Sequence, residues 1–453
     1  MTLRSLTALI AVGCGIMSAP LAAHAVLTFT VASHKESPEG LKSSGQPVPT
    51  SDESFPLTVT LGHQYLIVEA QGTRTIYDFA RQRIMTLNLA NKSYSDASLY
   101  ALLGLRDLEF QNRLMMGALL STAKAGLTDN FAMQPVFAEQ AFSITDTKHE
   151  ASIDQRQADG ETEFVWQDKK LLSISNKTRK LPAGYQSEYW RFLRYYAGGH
   201  PKIYAALASV QGVPEKITFV LQGGPQTETR EISLNTVRTE ADGPYSLDGF
   251  AATTPEEAPY STLKLLGPDA AAQLALRAEA TVKDRDAAIG QGQVFDAVLA
   301  NLAVLLMTGD AAGTTAWTSQ HHEALQSDES VRAFAASLSA RDQASAQTAL
   351  QTLAELRKQP GTARYVLDVM QGNTLIYLHQ GQNGADHLLS ALAVNPYLLG
   401  AWHDLGAFYY QSFRPDKAWA CWDAARKVNP QHPQFLPIAQ IESRIRTNMP
   451  DFF

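Results

Sequence analysis

The chain has 453 residues, 45% of them hydrophobic and 18% charged, with a formal net charge of −7. This is ordinary globular composition, with length enough for two or three domains. The acidic balance excludes a general nucleic-acid binder, which would carry a basic surface.

Residues 1–25 read as a secretory signal peptide. Arg4 gives the positive start, Leu6 to Met17 the apolar core, and Ala23-His24-Ala25 an A-x-A cleavage site. The apolar run is too short for a membrane anchor. A lipoprotein signal ending at Cys14 is the other reading, but Ala11-Val12-Gly13 lacks the leucine usual before such a cysteine. A cut at Ala25 leaves Cys421 without a partner in the chain, so no internal disulfide forms. No later stretch is long and apolar enough to span a membrane. The expected location is the periplasm or the outside of the cell.

Alternation predicts a strand over 26–32, followed by a Ser-, Pro- and Gly-rich loop or linker over 33–54. Short strands follow over 57–61, 65–70, 73–79 and 83–89, split by Gly62-His63, Gln71-Gly72 and Ala80-Arg81. A helix is expected next, capped by Ser95 or Asp96 and running to about Ala125, with Leu99, Leu102, Leu103, Leu114 and Leu119 as its apolar stripe. Strands over 151–157 and 162–166 flank Asp159-Gly160, a type I′ hairpin signal, and 170–175 continues the meander. Two helices, over 187–197 and 201–210, are joined by Gly198-Gly199-His200, with Pro201 at a first helical position. Strands over 217–221 and 227–239 complete an α+β domain spanning 26–245 with a largely antiparallel sheet. Residues 246–266, rich in Pro, Ala, Thr and acidic side chains, read as a linker.

From 267 to 453 the pattern is helical. Helices are expected over 268–289, 294–307, 314–326, 330–340 and 343–358, separated by short polar breaks such as Gly309-Asp310. The stretch 401–430 carries the strongest signal. Trp402, Leu405, Gly406 and Tyr409 are followed by Ala418, Trp422, Ala425 and Pro430. At this spacing the sequence resembles a tetratricopeptide repeat, a 34-residue helix–turn–helix unit that stacks on copies of itself. Gly372, Ala391 and Pro396 stand one such period upstream, which gives a degenerate unit over 365–398 before the clear one over 399–432. A helix over 435–446 would cap the array. The resemblance implies a concave surface lined by the first helix of each unit. Its outward positions would be Val366, Val369, Asn373, Ile376 and Tyr377, then His403, Ala407, Tyr410 and Gln411. Of these, Asn373, Tyr377, His403, Tyr410 and Gln411 suit a peptide backbone or ring.

The strands near Ile76-Tyr77-Asp78-Phe79, Ile84-Met85-Thr86-Leu87 and Lys92-Ser93-Tyr94-Ser95 are similar to those of periplasmic proteins of the lipoprotein-carrier fold. That resemblance implies a curved antiparallel sheet over an apolar cavity. The helices over 187–210 depart from its simple pattern. The aromatic run Tyr189, Trp190, Phe192, Tyr195 and Tyr196 reads as a helix packed on the sheet, or as a docking surface.

Catalytic signatures are absent: no G-x-S-x-G, Walker loop, G-x-G-x-x-G or C-x-x-C occurs. His321 and His322 point about 100° apart on a helix and make poor paired metal ligands. The sequence therefore leads to a non-catalytic adaptor that holds a protein or peptide partner, with no cofactor and no metal. A carrier or sensor of a lipophilic ligand is the alternative, and a hydrolase assembled from distant residues the second alternative.

Overall fold

The structure, a computed structural model, describes residues 23–36, 51–122, 134–145, 151–223, 226–241 and 244–453. Most of the signal-peptide reading, and the centre of the loop expected over 33–54, lie outside these residues. Strands β1 (Ala23–Glu36) and β2 (Ser51–Leu61) are antiparallel neighbours, with Lys35 opposite Ser51. Residues 33–36 and 51–54 are thus strand rather than loop, because each continues a ladder begun by an apolar stretch. A cut after Ala25 would leave β1 paired from Val26 onward.

The meander of β3 (Tyr65–Ala70), β4 (Thr73–Asp78) and β5 (Arg83–Asn88) follows the sequence pattern closely. The helix start does not. Residues expected to open it form β6 (Ser93–Ser98), which pairs with β5 along its whole length. Helix α1 (Leu99–Thr122) begins only after it, with Ser98 Oγ accepting the Tyr100 N–H at 3.3 Å. Strand β5 needs a partner for its second edge, and that demand outweighs the capping tendency of Ser95 and Asp96. Helix α2 (Pro135–Phe142) was not legible in the sequence.

Next come β7 (Asp154–Ala158) and β8 (Glu161–Trp166), joined by Asp159 and Gly160 with φ of 42° and 80°, the left-handed pair that a type I′ turn requires. Strand β9 (Lys169–Ser175) follows. The short β10 (Thr178–Arg179) and β11 (Val213–Pro214) pair with each other around α3 (Gln186–Ala197) and α4 (Pro201–Leu207). Strands β12 (Lys216–Gly223) and β13 (Gln226–Ala241) bring the chain back beside β1. Beyond them, residues 244–266 carry a two-residue strand, β14 (Ala251–Ala252), and the one-turn helix α5 (Tyr260–Leu263).

Among the described residues a sheet of 12 strands results, in the order β14-β6-β5-β4-β3-β2-β1-β13-β12-β9-β8-β7. Every neighbouring pair is antiparallel except β14 with β6. Alternation puts Leu57, Val59 and Leu61 of β2 beside Leu27, Phe29 and Val31 of β1 on the buried face. Helix α3 lies against this face, and Phe192 stacks on Phe29 with centroids 5.8 Å apart. The aromatic run of α3 is therefore core: Tyr189, Trp190, Phe192 and Tyr195 are buried. A smaller cluster of Ile76, Met85 and Leu87 occupies the opposite face, covered by Tyr245, Leu247 and Phe250. Tyr245 donates to Asp78 Oδ2 at 2.5 Å, so residues 245–252 run along the sheet.

The rest is helical: α6 (Ala270–Gly290), α7 (Val294–Thr308), α8 (Ala311–Gln320), α9 (His322–Ser327), α10 (Glu329–Leu338), α11 (Gln343–Lys358), α12 (Tyr365–Tyr377), α13 (Gly381–Val394), α14 (Leu399–Gln411), α15 (Pro415–Val428) and α16 (Leu436–Asn448). The helix expected over 314–326 is broken at His321 into α8 and α9. Helices α6–α7, α10–α11, α12–α13 and α14–α15 pack as consecutive pairs. None of the described helices is long and apolar enough to cross a membrane.

Sheet and helices share one apolar core. Helix α1 joins them, packing on α2, α15 and α16. At Gly104 a Cβ would stand 2.8 Å from the Trp419 ring, so only glycine permits this approach. The last residues then fold back onto the N-terminal part. Phe452 is fully buried, edge-on to Tyr195 at 4.9 Å and beneath the Arg106 guanidinium at 5.2 Å. The Tyr195 hydroxyl donates to the Phe452 carbonyl at 2.8 Å, and Arg194 pairs with Asp451 at 2.9 Å. Phe452→Ala is expected to cost about 3–5 kcal/mol of stability, the usual range for emptying a buried Phe site, measured by urea unfolding against the parent chain.

Candidate functional site

Two helix pairs form the centre of the helical part. Gly372 of α12 and Gly384 of α13 meet so closely that a Cβ on either would stand 2.8 Å or less from the other's carbonyl oxygen. In the next pair a Cβ on Gly406 would stand 2.2 Å from Trp422 Nε1. That indole donates to the His403 carbonyl at 3.1 Å. Trp402, Leu405, Tyr409, Ala418, Trp422 and Ala425 are all buried, as is Cys421, whose thiol pKa is pushed up by burial. Small residues at the crossings let the backbones approach, and the large ones fill the flanks.

The first helices α12 and α14 lie side by side, and their common face is partly occupied by the chain itself. Helix α7 packs against α10, α12 and α14. A Cβ on Gly400 would stand 2.8 Å from Leu306 Cδ2. Asn395 Nδ2 reaches Met307 Sδ at 3.6 Å. Arg364 pairs with Asp296 at 3.2 Å and lies 4.8 Å above the Phe295 ring. Val366 and Val369, expected to face outward, are fully buried. The hydropathy of α7, with Phe295, Leu299, Ala303 and Met307 all buried, could have signalled that it needed cover on more than one side.

The far end of the face is open. Tyr377 is 55% exposed, and its hydroxyl donates to the Arg341 carbonyl at 2.9 Å. Gln411 is exposed and Ala407 half-buried. Asn373 donates to Asp404 Oδ2 at 2.7 Å, while His403 Nδ1 lies 3.0 Å from Asp404 Oδ1. Asp404 thus ties two of the expected residues together, and the sequence reading did not single it out. Tyr410 stands apart from this group. Its ring is half-buried against Trp419 and Trp422, at 5.5 and 5.9 Å, and burial raises its pKa. The five residues therefore divide: Asn373 and His403 are tied through Asp404, Tyr377 and Gln411 are exposed, and Tyr410 packs toward α1 and α16.

His432 sits where α7, α14 and the turn before α16 meet. It is 2% exposed, and neither ring nitrogen has a hydrogen-bond partner of good geometry. Burial, with His403 nearby, lowers its pKa against the opposing pull of the Leu305 and Leu306 carbonyls.

The buried His200–Glu139 pair is structurally committed. His200 Nε2 lies 2.9 Å from Glu139 Oε2, and both side chains are buried. Its Nδ1 accepts the Lys202 N–H at 3.1 Å and caps α4, so neither nitrogen is left to activate a nucleophile. The His321 ring lies tilted against Trp317 at 4.9 Å, and His322 contacts Gln326 at 3.0 Å. Among the described residues no cluster of three potential metal ligands is found. Compared with protein-family models and with curated proteins, the chain matches none.

Gly406→Ala tests the crossing. Alanine favours a helix by up to about 1 kcal/mol, yet the clash with Trp422 should give a net loss of about 1–3 kcal/mol. Gly290→Ala, with open space around it, should instead be neutral or stabilising; urea midpoints of the two variants make the comparison. His432 gives a pH prediction. Because its folded pKa is depressed, the unfolded chain takes up the proton first. The stability it lends is complete above the unfolded value of 6.5 and is lost as pH falls through that value toward the lower folded one. Thermal melts below neutral pH should fall less steeply for His432→Gln than for the parent chain.

Proposed function

We propose that the chain is a non-catalytic adaptor of the bacterial envelope, holding an extended protein segment on the open end of the α12–α14 face. The observation that carries this reading is the repetition of one hairpin. Helices α12 and α13 begin at Tyr365 and Gly381, and α14 and α15 begin at Leu399 and Pro415, each shifted by the same 34 residues. Their first helices present a shared surface, as repeat proteins of this kind do when they bind partners. The side chains there suit a peptide main chain: Asn373, Asp404 and Gln411 supply donors and acceptors, and Tyr377 a broad amphipathic ring. Export rests on Arg4, the apolar run over 6–17 and Ala23-His24-Ala25.

The lipophilic-carrier alternative takes second place. The buried face of the sheet, where its ligand would lie, holds the stacked Phe29 and Phe192 and the buried Tyr189 and Trp190.

A photo-crosslinking side chain placed at Tyr377 or Gln411, in cells of the native host, should give one discrete protein adduct. The same group at Gln351, exposed on α11, should not. Adducts equal at all three positions, or none at Tyr377 and Gln411, would remove the surface from consideration.

A further inference from the structure

Helix α15 and the start of α6 bound a cleft of about 510 Å³. Helix α15 lines it with Asp416, Ala420, Asp423 and Lys427, spaced by four, three and four residues as one helical face requires. Leu263, Leu266 and Pro268 line another side, and Tyr260 closes the end beside Asp416. Leu263, Ala420 and Ala424 are only half-buried, so apolar surface is left uncovered inside the cleft. Both the volume and this lining, apolar with a few polar groups, match small-molecule sites.

The charges around the cleft are not equivalent. Each of its three described carboxylates is already met by an arginine. Asp96 Oδ1 accepts from Arg83 Nε and Asp423 Oδ2 from Arg83 Nη1, both at 2.8 Å. Asp423 Oδ1 also accepts from Arg426 at 2.7 Å. Asp416 accepts from two Arg414 nitrogens, at 3.1 and 2.9 Å. These pairs brace the walls and leave no carboxylate seeking a cation. The Lys427 ammonium, by contrast, has no hydrogen bond or ion pair among the described residues. A second hollow, of about 340 Å³, shares Arg83, Asp423 and Lys427 with the first and adds Arg81, Arg426 and Glu442. Its lining carries four cations against two carboxylates, in a chain whose net charge is −7. Lys427 thus stands where an apolar cleft runs into a cationic one.

We propose that the cleft binds a small organic acid, its anionic head at Lys427 and its short aliphatic body against Leu263, Ala420 and Ala424. A charge-assisted bond to an ammonium that lacks a partner breaks no existing pair. The α15 face from Asp416 to Lys427 measures roughly 16 Å at the helical rise per residue, which sets the length of body that fits and admits an eight-carbon acid. The site is separate from the α12–α14 face and does not depend on it.

Isothermal titration of the full mature chain with octanoate tests this. Octanoate should bind with a Kd of about 1 mM or below. Octan-1-ol, which keeps the body and lacks the acid, should bind at least about tenfold more weakly. Lys427→Met, which removes the charge and keeps an apolar stem, should weaken octanoate by about tenfold and leave octan-1-ol unchanged. Lys427 is exposed, so this variant keeps the fold. Ala424→Leu, which fills the cleft, should weaken both ligands. Lys358→Met, exposed on α11, should change neither. No octanoate binding at about 10 mM, equal affinity for octan-1-ol, or an unchanged octanoate Kd in Lys427→Met would each overturn the proposal. An equal loss in Lys358→Met would show binding by surface charge in general and also overturn it.

Discussion

The structure turns on α1, which must be buried on two sides at once. Leu99, Tyr100, Leu103 and Phe110 are all buried, and no single layer could cover them. The sheet with α2 takes one side and α15 with α16 the other. At Gly104 the helix comes against Trp419, and that indole donates to Glu442 at 3.0 Å. Tyr100 lies between Trp419, at 6.3 Å, and Phe453, at 5.5 Å, with the Arg446 guanidinium above it. Apolar burial is roughly proportional to area and non-directional. These glycine and aromatic contacts supply the direction, fixing one angle between the halves.

Arg106 extends the same argument to the chain end. Its guanidinium donates to the carbonyls of Phe142, Arg194 and Tyr195, at 3.4, 3.2 and 2.8 Å. These carbonyls close α2 and approach the end of α3, where the helix dipole favours a cation. Burial lowers the Arg106 pKa, and the nearby tyrosines oppose that shift. The same group covers Phe452, so one buried cation gathers α1, α2, α3 and the last turn of the chain. Loss of the Phe452 ring is for this reason a loss at the centre of the molecule.

A stacked hairpin needs a neighbour on each apolar side. Here the neighbours come from the chain itself. Helix α7 covers the near end of the α12–α14 face, and α1 covers α15. What remains open to solvent is the polar far end, where Tyr377 and Gln411 are exposed.

Local pattern alone determined much of this. Alternation placed β3 to β5, the Asp159-Gly160 turn followed from its left-handed preference, and α11 to α15 followed from apolar spacing with Gly406 and Pro430 as punctuation. These signals reside in neighbours along the chain, where side-chain period and backbone preference act directly. Only the tertiary structure decided the rest. Ser93–Ser98 became strand because β5 lacked a partner, against a local preference for capping. Val366 and Val369 went inside because α7, some 70 residues away in sequence, packs on their helix. Asn373 and His403 were brought together by Asp404, and Tyr410 was drawn toward Trp419 instead. Each of these outcomes depends on what lies opposite a residue in space, and a single sequence carries no local term for that.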